Sequence, residues 1–397
     1  MSIVLMIILS VCLIRSAKNL SFFYFYFPFS PSPLLSSSSY LPMSPILPIS
    51  MYRINAELDI EKPSLLMNKT IQEVIDNQEG FMTYSSTFLK SNLIVFESYN
   101  NIDAFLIKMA NRWPKTLRYV MGVQGTDLLV SKSALAGYLQ GEEIIPDTYI
   151  LSEEDELKRL GTEYDPRAYY ILKKNIQRQQ GFVVTNKYEE IFDQVMNKEN
   201  KFVVCQKMLQ NPFLVENRKI NLRAYLLLVI DGPRVNWYVY NNGFIYYTPA
   251  PFRKNSSKQE HIITSGYVER KLYDDLPMTF GELKDKIGKF KFGKIRANIL
   301  DAFRIVKDKY TDTFIEKNAS IPGIKFSLFG CDVAPDENMN ISLLEINKGP
   351  DIGYKDKRDR AVKYNLITSM FKVIGIIPNE IVDAGNSIED NNKFVKL

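Results

Sequence analysis

Two apolar runs toward the C-terminus, residues 326–334 and 341–346, flank a polar stretch at 335–340, and the strand-like sequence around each carries a carboxylate. Short β-rich runs on either side of turn-forming residues read as an antiparallel hairpin. In that hairpin Asp332 lies on the partner strand of Glu345, a spacing that can place the two carboxylates side by side. Alternation along Leu343-Leu344-Glu345-Ile346-Asn347 aims Glu345 and Asn347 at one face, about 7 Å apart along the backbone. Oxygens from Asp, Glu and Asn suit Mg²⁺, which keeps few protein ligands and takes the rest from phosphate and water. The plainer alternative is three polar residues facing solvent. Phe326, Leu328, Phe329, Leu343 and Leu344 argue against it, because they embed these strands in a core.

Composition narrows the chemistry. With 46% apolar and 24% charged residues over 397 positions, the chain folds rather than staying disordered. That length accommodates two or three subdomains of roughly 100–200 residues. The net charge of +5 admits an acidic partner but is no nucleic-acid footprint, and no nucleic acid is expected. His261 is the sole histidine, which excludes a multi-His metal centre; Cys12, Cys205 and Cys331 lack the spacing of a disulfide framework or zinc site. Catalysis then falls to carboxylates, lysines, arginines and a bound metal.

Residues 1–50 differ from the rest, with Arg15 and Lys18 their only charges. The apolar run at 3–14 is too short to span a bilayer but has the length of a signal-peptide core. An aromatic run at 22–27 and a Pro/Ser tract follow, where proline blocks regular structure. A secretory signal, a membrane-associating tail and non-native sequence upstream of a start at Met43 or Met51 all fit; the last is preferred. The remaining expected segments are an N-terminal α/β lobe at 51–150, a central lobe at 151–210, a C-terminal lobe with the metal site at 211–378 and a polar tail at 379–397.

Within these segments, strands are expected at 93–96, 170–172, 182–184, 202–205 and 220–230, with helices at 102–111, 131–140 and 188–197. Residues 235–240 and 244–247 flank Asn241-Asn242-Gly243, which reads as a hairpin turn because Asn and Gly tolerate positive φ. Ile295, Ile299, Phe303, Val306 and Tyr310 recur on one helix face, as do Val362, Leu366, Met370 and Ile374 in a last amphipathic helix.

Three further groups are candidate ligand contacts. Lys173 ends an apolar strand before Arg178-Gln179-Gln180-Gly181, a loop suited to folding over phosphates, although a solvated lysine is the plainer reading. Gln206, Lys207, Met208 and Leu209 sit at a strand exit, where free backbone groups can hydrogen-bond a base. Lys219, Asn221 and Arg223 alternate onto one strand face, a donor set for an anionic ligand.

Taken together, Gln206-Lys207-Met208-Leu209-Gln210-Asn211-Pro212, Arg218-Lys219-Ile220-Asn221-Leu222-Arg223, Phe329-Gly330-Cys331-Asp332 and Leu343-Leu344-Glu345-Ile346-Asn347-Lys348-Gly349-Pro350 resemble the tubulin-tyrosine-ligase-like family. Weaker similarity through Ser131-Lys132 and residues 145–149 extends the match over about residues 90–376. The resemblance implies an α+β ATP-grasp fold, two lobes with antiparallel sheets holding ATP between them. It implies a ligase that adds glutamate, glycine or tyrosine to tubulin tails, alpha or beta, or to another acidic protein through an acyl phosphate. Lys173, Arg223 and Glu345 would be catalytic, and Asp332, Glu345 and Asn347 would hold Mg²⁺. Gln206, Lys207, Met208, Leu209, Lys219, Asn221 and Thr264 would join Lys173 in binding ATP, while Arg223, Tyr246 and Lys363 would receive the free amino acid. A monomer in the cytoplasm, cytoskeleton or cilium follows, with no membrane role and a secretory alternative from residues 1–50.

Four departures from the family pattern bear on activity. Gly181 is the one glycine of its loop where several are usual; Asn221 replaces an aspartate, Tyr246 an arginine and Ser265 an asparagine. The metal set is intact while the amino-acid pocket is altered. A degenerate tubulin- or nucleotide-binding module without ligation is therefore the alternative function.

Overall fold

The computed structural model describes residues 49–54, 65–77, 82–84, 88–96, 102–109, 112–175, 181–254, 256–264, 270–377 and 393–397. The expectations for residues 1–48, Arg178-Gln179-Gln180, Ser265 and most of the 379–397 tail fall outside the described residues. Among the described residues, no helix is long and apolar enough to cross a membrane.

Elements run β1 (Ile49–Ile54), α1 (Leu65–Asp76), β2 (Met82–Tyr84), β3 (Leu93–Phe96), α2 (Ile102–Lys108), β4 (Tyr119–Met121), α3 (Thr126–Val130), α4 (Lys132–Tyr138) and β5 (Thr148–Ile150). Next come α5 (Glu154–Glu163), β6 (Tyr170–Lys174), β7 (Phe182–Thr185), α6 (Tyr188–Met196), β8 (Phe202–Lys207), β9 (Leu214–Val215), β10 (Arg218–Asp231), β11 (Arg234–Tyr240) and β12 (Phe244–Tyr247). The last are α7 (Phe280–Ile287), α8 (Lys289–Asn318), β13 (Ile324–Pro335), β14 (Ile341–Lys348), α9 (Lys357–Val373) and β15 (Phe394–Lys396).

The long strand β10 organises the larger sheet. Leu226, Leu227 and Leu228 are all fully buried, so both faces of this strand are covered and the run is continuously apolar rather than alternating. β13 lies antiparallel along one side of β10, and β14 pairs antiparallel with β13 as the hairpin reading expects. On the far side of β13, β4 pairs in parallel, and β3, β1 and β2 continue the sheet. The segments read as N-terminal and C-terminal lobes thus share one sheet. The boundary read at residue 50 falls inside β1, where Ile49 is buried in the core.

The 235–240/244–247 hairpin is corrected. β11 and β12 do not pair with each other; both pair with β10, β11 along residues 226–231 and β12 along 220–223. A strand of 14 residues offers two successive partners an edge on the same side. Asn241-Asn242-Gly243 carries the chain between them, passing so close to β10 that a Cβ on Gly243 would lie 2.2 Å from the Arg223 carbonyl oxygen.

A second, wholly antiparallel sheet has the order β5-β8-β6-β7 and its own core of Tyr149, Leu160, Tyr170, Leu172, Ile191 and Cys205. β5 belongs to this sheet although it precedes the boundary expected at 151. The stripe Ile295, Ile299, Phe303, Val306 and Tyr310 is buried along α8, and Val362, Leu366 and Met370 are buried along α9. The chain is a mixed α/β protein with one mixed and one antiparallel sheet.

Candidate functional site

Register sets the centre of the site. Arg223 on β10 lies directly opposite Asp332 on β13, and Asp332 directly opposite Glu345 on β14, so three charged residues form a row across three strands. The Arg223 guanidinium donates to both Asp332 oxygens, Nε at 2.6 Å and Nη2 at 3.1 Å. A register shift follows immediately: Val333 pairs with Leu343, leaving Leu344 as the extra residue of a bulge. Bulges bend a strand and re-aim its side chains. Asn347 Nδ2 donates to Glu345 Oε1 at 3.0 Å, so these two share a face as alternation requires.

Lysines surround this row. Lys132, on the first residue of α4, brings its ammonium to 3.8 Å from Glu345. The Ser131-Lys132 motif was visible in the sequence only as weak similarity, and Lys132 was not among the expected site residues. Lys173, on β6, donates to Gln206 Oε1 at 2.7 Å, and Gln206 Nε2 donates to Thr148 Oγ1 at 2.8 Å. A narrow cleft is lined by Lys132, Lys173, Thr148, Gln206, Leu343 and Leu344, which brings α4 and the smaller sheet up to β14.

The electrostatics follow from that crowding. Burial lowers the Lys173 ammonium to about 8, with Glu345 and Asp332 opposing and Lys132 reinforcing the shift. Burial likewise lowers Lys219 to about 8, helped by repulsion from Lys173. Burial also pushes the Glu345 carboxyl upward, but Lys132, Lys173, Asn347 and Arg223 together bring it below its ordinary value. Asp332 is raised by burial, Arg223 opposing and the Glu345 charge adding to the shift.

The other expected residues are less uniformly placed. Lys207 turns to Asp147, 3.7 Å away, and its backbone N–H donates to the Asp147 carbonyl. Met208 N–H donates to the Tyr169 carbonyl at 2.8 Å. Leu209 is half-buried beyond the end of β8. Lys219 donates to the Ile262 carbonyl at 3.1 Å, and Thr264 is buried just beyond it in sequence. Asn221 Oδ1 is a buried oxygen without a hydrogen-bond partner among the described residues. An acceptor left so costs about 1–3 kcal/mol, which suits a position completed by a donor from a ligand.

The three residues expected at the amino acid divide. Arg223 sits 5.3 Å from the Tyr246 ring centroid, and burial pushes the Tyr246 hydroxyl up to about 12, so that side chain stays neutral. Lys363 is instead almost wholly buried on α9, its ammonium 3.0 Å from Asp359 and bonded to the Gly353 carbonyl. His261, also buried, bonds the Pro251 carbonyl through Nδ1 at 2.7 Å.

Among the described residues, no group of three His, Cys, Asp or Glu side chains could hold a metal ion. A divalent cation would have to rest on Asp332 and Glu345 with the Asn347 amide oxygen, two carboxylates and one neutral ligand. That donor set suits Mg²⁺, which uses one or two carboxylates beside substrate phosphate. Arg223 occupies part of Asp332, but an ionised carboxylate has about four lone-pair sites, so capacity remains.

The fold and site define a mixed α/β protein whose central sheet carries a half-buried carboxylate pair facing lysines. Residues 92–383 match the sequence model of the Tubulin-tyrosine ligase family, and the chain belongs to that family. It is similar to Tubulin glycylase 3B of Drosophila melanogaster, 24% identical over 257 residues that cover 58% of this chain and 32% of the relative. Probable tubulin polyglutamylase TTLL2 of Homo sapiens is 23% identical over 301 residues, 68% of this chain and 49% of the relative. Protein polyglycylase TTLL10 of Rattus norvegicus is 25% identical over 252 residues, 55% and 36% respectively. The chain spans less than half the length of each of these relatives.

Proposed function

We propose that this chain is an ATP- and Mg²⁺-dependent ligase of ATP-grasp type that joins an amino acid to tubulin or another acidic protein. The observation that carries this reading is the row Arg223, Asp332, Glu345, fixed by register beside Asn347 and facing Lys132 and Lys173. It is supported by the family membership and by relatives whose names are those of tubulin glycylases and polyglutamylases.

In this mechanism Asp332, Glu345 and Asn347 would hold the cation, which neutralises charge on the transferred phosphoryl group when bound. Lys173, Lys132 and Lys219 neutralise the triphosphate; the Lys207 and Met208 N–H groups at the exit of β8 are already bonded to Asp147 and Tyr169, so the base would be seated by the groups of Gln206–Leu209 that these bonds leave open. Arg223, held by Asp332, directs its remaining N–H donors at the acceptor carboxylate. That carboxylate attacks the γ-phosphorus, ADP leaves, and the acyl phosphate is opened by the amino group of the incoming amino acid with release of phosphate. Positioning and electrostatics suffice, so no His or Cys nucleophile is needed.

The test is direct: incubate the protein with ATP, Mg²⁺, tubulin and labelled glutamate, glycine or tyrosine in parallel. Label transferred to tubulin only with ATP and Mg²⁺ supports the ligase. Nucleotide binding without transfer of any of the three would leave the binding module as the better description.

A further inference from the structure

One short segment carries a dense excess of positive charge. Residues 284–296 hold six cations, Lys284, Lys286, Lys289, Lys291, Lys294 and Arg296, against the single acid Asp285, a local excess equal to the net +5 of all 397 residues. The segment is the junction of α7 and α8 at Gly288, whose φ of 87° turns one helix directly into the next. Lys286, Lys289, Lys291 and Lys294 are exposed there. Some of these cations are occupied internally: Lys286 meets Glu216 at 2.5 Å, Arg296 donates to Asn241 at 2.6 Å, and Lys289 is engaged as well. Lys284, Lys291 and Lys294 have no ion-pair partner among the described residues.

Packing does not account for what lies between these lysines. Phe290 is 84% exposed, the most exposed large apolar side chain described, although its neighbour Phe292 is buried in the core. Gly293, one turn further on, weakens a helix, yet a Cβ there would meet nothing within 4 Å. The stripe Phe290, Gly293, Lys294, Ala297 therefore presents an aromatic ring beside a bare stretch of helix, flanked by lysines. The first turn of α8 contains no acid, although a helix start favours anionic side chains and disfavours cations. A sequence that sets local stability aside in this way marks a surface kept for something other than folding.

We propose that this corner docks an acidic polypeptide segment, with Phe290 covering an apolar side chain of the segment while Lys291 and Lys294 meet its carboxylates. The proposal rests on the ligase reading only for the source of that segment, the acceptor protein. A polypeptide fits better than nucleic acid: the exposed cations are all lysines, mobile point charges suited to carboxylates on a flexible chain, whereas planar arginine forks favour phosphate. Arg296, the one arginine here, is already committed to Asn241.

The experiment measures binding, so it stands apart from turnover. Titrate the full chain with a fluorescent peptide of glutamates interrupted by one phenylalanine, and in parallel with a single-stranded oligonucleotide of equal charge. The double variant Lys291→Glu/Lys294→Glu should weaken peptide binding about tenfold or more and flatten its salt dependence. The charge-matched Lys187→Glu/Lys198→Glu control, at exposed positions just before and just after α6, should change it little. Phe290→Ala should weaken binding several-fold with the salt dependence intact, and Glu345→Gln should bind the peptide normally. If reversing both lysines unfolds the protein, Lys291→Gln/Lys294→Gln gives the same comparison. Equal losses in double variant and control, or tighter binding of the oligonucleotide, overturn the proposal. Loss of transfer in Glu345→Gln with peptide binding retained bears on the ligase reading alone.

Discussion

Asp332 and Glu345 face each other across neighbouring strands, yet their carboxyls are displaced in opposite directions, Asp332 above its ordinary value and Glu345 below it. Burial raises both. The difference lies in company: Glu345 has Lys132, Lys173 and Asn347 around it, while Asp332 has Arg223 and the repulsion of Glu345 itself. Two half-buried carboxylates at one site resist ionising together. A divalent cation between them would remove that repulsion, so the pair is better matched to a bound metal than to its absence.

Glu345→Gln keeps the size of the side chain and removes a charge that a hard cation requires. Mg²⁺-dependent ATP turnover should fall by about a hundredfold or more, while nucleotide binding weakens modestly and thermal unfolding shifts little. Turnover at the wild-type rate would remove Glu345 from the metal set. Gross loss of folding would make it structural instead.

Gly243→Ala tests the corner between β11 and β12. The added Cβ meets the Arg223 carbonyl and the Phe280 ring at once, which should destabilise by about 1–3 kcal/mol. Because the clash is with the backbone of Arg223, activity should drop further than stability alone explains. A midpoint of denaturation unchanged from wild type would mean that β12 shifts freely.

How much of this was legible in the sequence varies with the range of the contact. The Asp332/Glu345 register could be read because a hairpin is local and its turn is short. The pairing of β4 with β13 could not, since Tyr119 and Ile324 are joined by packing rather than by any nearby pattern. Apolar runs identified β11 and β12 as strands but could not name their partner; the polar turn suggested each other, and β10 won because it has room for both. Lys132 is not legible in the sequence, because nothing near it in the chain marks a partner; the fold alone brings it to Glu345. Lys363 shows the converse: it lies next to Val362 on the buried side of α9, four residues after Asp359, and that ion pair is hidden rather than displayed.

Arg223→Ala should destabilise the fold by about 1–3 kcal/mol, because it leaves the half-buried Asp332 carboxyl without its partner. Urea denaturation measures this. Replacing both residues, Arg223→Ala with Asp332→Ala, should recover part of the loss, since no charge is then left unpaired. A double variant no more stable than the single one would mean that Arg223 acts through its packing on Tyr246 instead.

A chain beginning at Met51 should be less stable than one beginning at residue 46. Ile49 is buried, and Ser50 exchanges hydrogen bonds with Asn92 through its N–H and its carbonyl. Burying one isoleucine contributes about 1.5–3 kcal/mol. Identical melting curves for the two chains would show that β1 needs no residue before Met51.

The pH dependence of nucleotide affinity follows from Lys173 and Lys219. Both ammonium groups sit at about 8, against 10.5 ordinarily. In the unfolded chain they keep their protons up to the higher value, so between about 8 and 10.5 the unfolded state binds more protons than the native one. These two groups therefore make the protein more stable as pH rises through that window, by relieving the burial of charge. Nucleotide binding has the opposite sign. A triphosphate favours the charged lysines, so affinity should be greatest below about pH 8 and fall above it, with protons taken up on binding near the midpoint. Titrating ATP at pH 7 and pH 9 for wild type, Lys173→Met and Lys173→Met/Lys219→Met separates the two groups. The single variant should keep part of the slope and the double variant nearly none. A slope that survives in the double variant would show that neither lysine is the group the phosphates address.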